Sequence, residues 1–201
     1  MKKIILIGAG GHAKSCLDII NSIKKYKVLG FIDNHKKGTF ENYKIVGGDK
    51  FLKNLRNKSK INIAITIGQI KDYKKRKNIF KKIKELGFKL PKIISKYAIV
   101  SKYSKIGEGT MIFSNALVNR GASIGFNSII NSFALIEHDT IIGNNTHIST
   151  RATINGNVKI GSNTFIGSGT IIKEGVSIGN NCVIGMGSLI KNNIKNNSKI
   201  K

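Results

Sequence analysis

Acidic residues are scarce in this 201-residue chain, where ten Asp and Glu stand against 35 Lys and Arg and leave a formal charge of +25. A surplus of that size invites a nucleic-acid reading. The rest of the composition argues against it. There is no tryptophan, the lysines are spread along the whole chain together with asparagine and isoleucine, and no aromatic–basic interleaving offers a platform for single strands. Nucleic acid is therefore not an expected partner, although a basic surface still draws anionic ligands. Only two cysteines occur, Cys16 and Cys182, with no CxxC or Cys/His spacing, so no metal site is expected. No apolar run approaches the length of a membrane span, and the N-terminus MKKIILIGAGGHAK passes from strand to glycine turn without a secretory pattern. The expected location is cytoplasmic, without membrane insertion.

What the chain has in abundance is a period of six. From Val100 every sixth residue through Ile190 is Ile or Val, sixteen positions without a slip. Four places after each stands a small or β-branched residue, among them Thr110, Ala134, Thr146 and Cys182, and glycine often follows the Ile directly, as at Gly107, Gly143 and Gly167. Neither a helix face nor an amphipathic strand repeats at six. A short strand plus a turn does, so each hexad makes one side of a prism with its Ile inward and Cys182 in a buried slot. Three sides give an 18-residue coil, and coils stack as parallel strands about 4.8 Å apart.

The first ninety residues read differently. Lys3 to Ile7 is an apolar strand, Gly8 to Lys14 a glycine turn, Ser15 to Lys25 a helix and Tyr26 to Ile32 a second strand ending at Asp33 and Asn34. Gly8, Gly10 and Ala13 satisfy the dinucleotide fingerprint, with Asp33 where a ribose-binding acid belongs. There is room for half of a Rossmann unit, which favours one nucleotide over NAD. Further on, Tyr43 to Val46 reads as a strand, Asp49 as the cap of a helix through Leu55, and Ile61 to Ile67 as a strand ending at Gly68. The helix expected over Asp72 to Leu86 carries Lys71, Lys74, Lys75, Arg76, Lys77, Lys81, Lys82 and Lys84 on a face taken as solvated. His35, in a polar loop, is given no role. The expected domains are residues 1–94, a Rossmann-like nucleotide-binding α/β half domain, and residues 95–192, an all-β parallel β-helix. Residues 193–201 form a polar tail suited to covering the last coil or fraying.

The hexad run resembles the hexapeptide-repeat acyltransferases, whose prism is a left-handed β-helix that forms homotrimers. With the GAGGHAK turn ahead of it, the whole chain is similar to sugar acetyltransferases of the sialic acid O-acetyltransferase and nucleotide-4-amino-sugar N-acetyltransferase type. The left hand is what the resemblance implies. So are a nucleotide sugar held by the N-terminal domain, acetyl-CoA as co-substrate along the groove between neighbouring prisms, and active sites between protomers of a homotrimer.

Within the hexads, Glu137-His138-Asp139 departs from simple filling. An imidazole suits a proton-transfer step near neutral pH, and an adjacent carboxylate orients it. At 18 residues per coil His138 stacks on Gly156, which would set a base and a bare backbone N–H beside one small volume, as acyl transfer requires. Arg120 and Glu174, in the same column, are given no catalytic role. The resemblance implies His138 as base, Asp139 as the acid that raises its basicity, and Gly156 as oxyanion donor. It also implies His147, Gly156, Ser168 and Met186 at coenzyme A, with Arg151 a departure in that groove. For the nucleotide sugar it implies Gly10, Gly11 and His12 at phosphate, Asp33 and Asn34 at base and ribose, and Gly68 in a third loop.

The expected function is acetyl-CoA-dependent N-acetylation of the 4-amino group of a dTDP- or UDP-linked 4-amino-4,6-dideoxy sugar. Its expected setting is surface polysaccharide (O-antigen) or glycan biosynthesis. The alternatives are O-acetylation of sialic acid or a related sugar, and a non-catalytic nucleotide-binding trimeric module.

Overall fold

The computed structural model describes residues 1–55, 58–70 and 72–201. It divides into two compact units, Met1–Gly68 with Lys74–Ile93 and Gln69–Tyr73 with Ile94–Lys201.

The first unit holds a sheet of β1 (Lys2–Ile7), β2 (Tyr26–Ile32), β3 (Thr39–Phe40), β4 (Tyr43–Gly47) and β5 (Ile61–Ile65), in the order β3-β4-β2-β1-β5. All pairs are parallel except the hairpin of β3 and β4. The runs KKIILI and INIAI are nearly continuous in aliphatic residues because central parallel strands are buried on both faces. The helices are α1 (Gly11–Ser22), α2 (Asp49–Asn54) and α3 (Lys74–Glu85). Helix α1 buries Ala13, Cys16, Leu17, Ile19 and Ile20, and it begins at Gly11, four residues earlier than the apolar periodicity suggests. The polar first turn carries no hydrophobic signal, which is why periodicity misses it. Helix α2 is capped by Gly48, with Asp49 in its first turn, a correction to Asp49 as cap.

Helix α3 overturns one expectation. Arg76 is completely buried, not solvated, and its Nη1 donates to the carbonyls of Ile65 (2.6 Å) and Ile67 (2.8 Å) beyond β5. On a helical wheel it lies between the lysines and the apolar members Phe80 and Ile83, and a planar fork reaching orphan carbonyls draws it inward. Lys71 lies outside the described residues.

In the second unit the chain winds as a left-handed parallel β-helix of two-residue strands on three faces. The first face stacks Ile99–Val100, Leu117–Val118, Leu135–Ile136, Thr153–Ile154, Ile171–Ile172 and Leu189–Ile190. Second-face strands are Lys105–Ile106, Ser123–Ile124, Ile141–Ile142, Lys159–Ile160 and Ser177–Ile178. The third face runs from Ile93–Ile94 through Met111–Ile112, Ile129–Ile130, His147–Ile148, Phe165–Ile166 and Val183–Ile184 to Lys199–Ile200. Registers such as Leu117↔Leu135 and Ile124↔Ile142 set each coil at 18 residues.

The second residue of each strand points inward, and the stacked Ile side chains are the core. Small hexad positions satisfy buried polar groups: Thr146 Oγ1 accepts from Thr164 N–H and donates to Gly161 O, and Ser128 and Thr164 repeat the pattern. At one corner Asn127, Asn145, Asn163, Asn181 and Asn197 share positive φ and stack as an amide ladder. Asparagine tolerates that conformation better than most residues.

Residues 193–201 continue the winding. Ile194 bridges Ile178, and Val183 and Ile184 pair with Lys199 and Ile200, a spacing of sixteen rather than eighteen. One side of the last coil is two residues short, so its Ile positions leave the six-residue phase and are invisible to a fixed period. On the opposite surface logic, the outward positions of the first face form an apolar column: Ile99, Leu117, Leu135, Ile171 and Leu189, broken by Thr153. Of these, Ile99, Ile171 and Leu189 are exposed.

Candidate active site

β1 is flanked by β2, which follows it in the chain, and on its other side by β5, which the chain reaches only after β4 and α2, so the carboxyl ends of these three strands face a topological switch point. A cleft of about 340 Å³ opens there, lined among others by Gly8 to His12, Asp33, Asn34, His35, Asp49, Thr66, Gly68 and Lys75. All six residues expected to hold the nucleotide sugar, Gly10, Gly11, His12, Asp33, Asn34 and Gly68, lie in its wall.

Each loop has its own restraint. Gly8, at φ +100°, lets the turn pack on Ile67, where a Cβ would collide with the Ile67 side chain. Thr66 Oγ1 donates toward Ile7 O and Gly8 O at 2.9 and 2.7 Å, joining the first and third loops. A Cβ on Gly10 or Gly11 would meet no protein atom, so what those glycines keep clear is the cleft itself. Helix α1 has no side-chain cap and no acid in its first turn, which leaves the positive end of its dipole facing the cleft without a fixed negative charge. His12 packs on Gly68, whose added Cβ would lie 3.5 Å from its ring.

Asp33 is a brace as well as a wall residue. Its Oδ2 accepts from Ala9 N–H (2.9 Å), and Oδ1 from His35 N–H (2.9 Å) and Lys36 N–H (3.2 Å). Desolvation pushes the carboxyl up, but these three donors and the neighbouring His35 outweigh it and hold its pKa below the ordinary value. Lys36 Nζ returns to Ala9 O at 2.6 Å. Asn34 Oδ1 accepts from Asp49 N–H (2.8 Å) and so fixes the start of α2. His35, given no role from sequence, and Asp49, Thr66 and Lys75 are further lining residues; a position's offset from the end of each strand is the signal that marks such residues.

On the prism, Glu137, His138 and Asp139 turn from the first face to the second. Asp139 takes φ +58° and brings Oδ2 to 3.0 Å from His138 Nδ1. A carboxylate only accepts, so Nδ1 carries the proton and Nε2 is the basic nitrogen. Glu137 Oε2 accepts from Asn119 Nδ2 at 2.8 Å and from His138 N–H at 3.3 Å, steadying the turn. His138 O accepts from Asn157 N–H, one coil on, and a Cβ on Gly156 would lie 2.7 Å from both Cε1 and Nε2 of His138. Among the described residues nothing accepts the Gly156 N–H. The expected stack of His138 on Gly156 is therefore present. Asp139 in turn lies over Gly121, where a Cβ would collide with its Oδ1. A shallow groove lined by Tyr103, Arg120, Gly121, His138 and Asp139 opens at this corner.

The residues expected at coenzyme A lie elsewhere on the same prism. His147 is 4 % exposed on the third face, its Nδ1 donating to Gln69 O and its ring edge-on to Phe165 at 5.3 Å. Gln69 Nε2 donates to Asn145 O at 2.7 Å, so Gln69 is fastened to the prism by both its side chain and its carbonyl. Ser168, whose hydroxyl meets Ser149 Oγ at 2.9 Å, and Met186, 83 % exposed, turn from the third face to the first, beside Arg151. Within one chain these residues and the His138–Gly156 pair occupy the two corners that flank the first face. Among the described residues no group of His, Cys, Asp and Glu could hold a metal ion, and no helix is long and apolar enough to cross a membrane.

Residues 3–83 match the PglD N-terminal domain, and residues 121–156 and 157–192 match the bacterial transferase hexapeptide (six repeats). No curated protein sequence matches the chain. Among solved structures, the acetyltransferase domain of PglB from Neisseria gonorrhoeae FA1090 in complex with acetyl coenzyme A is 28 % identical, with a TM-score of 0.92 over 98 % of this chain and 95 % of that one. PerB from Caulobacter crescentus, in complex with CoA and GDP-perosamine, is 26 % identical, with a TM-score of 0.89 over 96 % and 91 %. WeeI from Acinetobacter baumannii AYE, 21 % identical with a TM-score of 0.87 over 98 % and 94 %, shares the fold. The chain thus carries a PglD N-terminal domain ahead of transferase hexapeptides and is similar from end to end to a hexapeptide-repeat acetyltransferase.

Proposed function

We propose that this protein transfers the acetyl group of acetyl-CoA to the 4-amino group of a nucleotide-linked 4-amino-4,6-dideoxy sugar. It would act as a cytoplasmic homotrimer in the assembly of a surface polysaccharide such as O-antigen, or of a glycan. The observation that carries this reading is the ring of His138 lying on Gly156 with Nδ1 tied to Asp139. The PglB domain's complex with acetyl coenzyme A and PerB's with GDP-perosamine support the two substrates.

In the mechanism, the amine's lone pair forms a bond to the thioester carbonyl carbon while His138 Nε2 takes the amine's proton. Asp139 favours the imidazolium that results. The carbonyl oxygen becomes an oxyanion and accepts from Gly156 N–H. The C–S bond then breaks, the pair leaves with coenzyme A as thiolate, and the proton on His138 returns to it. No covalent acyl-enzyme is needed, since no nucleophile adjoins His138. Gly10, Gly11 and the start of α1 would hold phosphate, with Asp33, Asn34 and Gly68 around the nucleoside.

Coenzyme A would lie between neighbouring prisms, meeting the His138 corner of one and the Ser168–Met186 corner of the next. The apolar column Ile99, Leu117, Leu135, Ile171 and Leu189 between those corners is what suits the first face to pack against a second copy. The test is a panel of dTDP-, UDP- and GDP-linked 4-amino sugars and free sialic acid, mixed with acetyl-CoA and followed by release of free thiol. Release with an amino sugar, lost by about 10²-fold or more in His138→Ala, is expected. Unchanged turnover in that variant would remove the mechanism, and release with sialic acid alone would move the reaction to a hydroxyl.

A further inference from the structure

The corner that carries His138 is electrically lopsided. Successive coils place Arg120, His138, Gly156 and Glu174 in one column, joined by Asp139 N–H to Arg120 O (3.1 Å), Asn157 N–H to His138 O (3.0 Å) and Gly175 N–H to Gly156 O (3.0 Å). The guanidinium lies flat on Tyr103, its Cζ 3.8 Å from the ring centroid, and Lys102 Nζ lies 5.0 Å from the same ring. Among the described residues Arg120 makes no ion pair. Gly121, with no side chain, lets Asp139 Oδ1 lie over it on the floor of the groove, so the guanidinium of Arg120 and the Asp139 carboxylate line the same opening. An arginine held against an aromatic face has lost part of its rotamer freedom in advance and presents a planar fork of donors. One coil beyond the bare Gly156, on the other side of the base, stands Glu174, which repels negative charge.

We propose that Arg120, stacked on Tyr103, is a specificity residue that binds an oxyanion carried by the acceptor sugar and so sets which end of the sugar faces His138. The inference rests on the proposed reading of this corner as the site of transfer. Coils are stacked about 4.8 Å apart, close to the width of a pyranose ring. A sugar whose position 4 faces His138 would therefore bring its opposite, anomeric end beside Arg120, and with it the phosphate bonded directly to the sugar, as distinct from the nucleoside-side phosphate assigned to Gly10 and Gly11. A carboxylate on the sugar offers the same two-oxygen fork to a guanidinium.

Dissociation constants from ligand-observed NMR separate the two sources. The ligands are a nucleotide-linked 4-amino sugar, its methyl glycoside without phosphate, and a methyl glycoside bearing a carboxylate, each with wild type, Arg120→Ala and Arg120→Lys. Loss of a charged hydrogen-bond pair weakens binding about 10- to 100-fold in Arg120→Ala. The loss is expected for the phosphate-bearing ligand, or for the carboxylate-bearing one if that is the source, and not for the plain glycoside. Arg120→Lys restores part of it, as a point charge without the fork. An equal loss for all three ligands, or no loss for any, overturns the proposal. If wild type binds none of the three, the proposed function itself falls, and this inference with it.

Discussion

The imidazole of His138 rests on the α-carbon of Gly156, eighteen residues later, closely enough that any side chain at 156 would collide with the ring. The relation joins an imidazole to a backbone N–H eighteen residues away through the winding alone. It follows from parallel coils of fixed length, because the same turn position recurs once per coil.

Gly156→Ala is therefore expected to displace the imidazole while leaving the prism intact, since the backbone at Gly156 does not need positive φ. Turnover should fall about 10²-fold or more, the range for a general base moved out of reach while the backbone N–H stays in place, with an unchanged thermal midpoint. Thiol-release kinetics beside a melting curve check both, and an unaltered kcat would take Gly156 out of the site.

Asp33→Asn tests the brace of the cleft by pH. Because the folded pKa is lowered, the carboxylate contributes stability above its unfolded value of about 3.9, and the contribution is lost as pH falls through the folded value. The variant should be less stable than wild type by about 1–3 kcal/mol at pH 7, with the gap closing below about pH 4. Urea unfolding at a series of pH values measures the gap; a gap constant down to pH 3 would contradict the ionised brace.

Arg76→Met removes the donors to Ile65 O and Ile67 O and should cost about 2–4 kcal/mol. Cys16 offers a local probe, since burial pushes its thiol up to about 12 despite the opposing charge of Arg76. Thiol labelling at pH 8 should be negligible in wild type and faster in the variant, as the β5–α3 junction opens. Equal labelling rates would mean that Arg76 does not hold the junction closed.

Leu135→Lys, at the middle of the apolar column, should shift the proposed trimer toward monomer in sedimentation while a lone chain keeps its melting transition. Acetyl transfer should fall with the trimer fraction. A monomeric variant with full activity would place the whole site in one chain.

Much of this was legible in residue order, for reasons specific to each part. The prism was, because every side repeats one local demand, an Ile inward and a small residue at the turn, and nothing interrupts the count. The residues lining the N-terminal cleft were, because the end of a parallel strand is where backbone donors converge. Arg76 was not: among six helix lysines it looks like one more solvated cation, and only the carbonyls of Ile65 and Ile67 distinguish it. His147 reads as a coenzyme A contact by analogy, while the folded chain gives its Nδ1 to Gln69, seventy-eight residues away. The last coil escaped because one side is two residues short.

The sequence by itself determined the winding, the inward Ile stack, the strand–turn–helix at the N-terminus and the column that pairs His138 with Gly156. These depend on spacing along the chain, and a parallel coil converts spacing directly into proximity. Only the tertiary structure decided that Arg76 is buried, that Asp33 spends its oxygens on Ala9, His35 and Lys36, and that Arg120 is laid on Tyr103. Those outcomes turn on which groups from distant segments compete for the same donors, and no local pattern contains that competition.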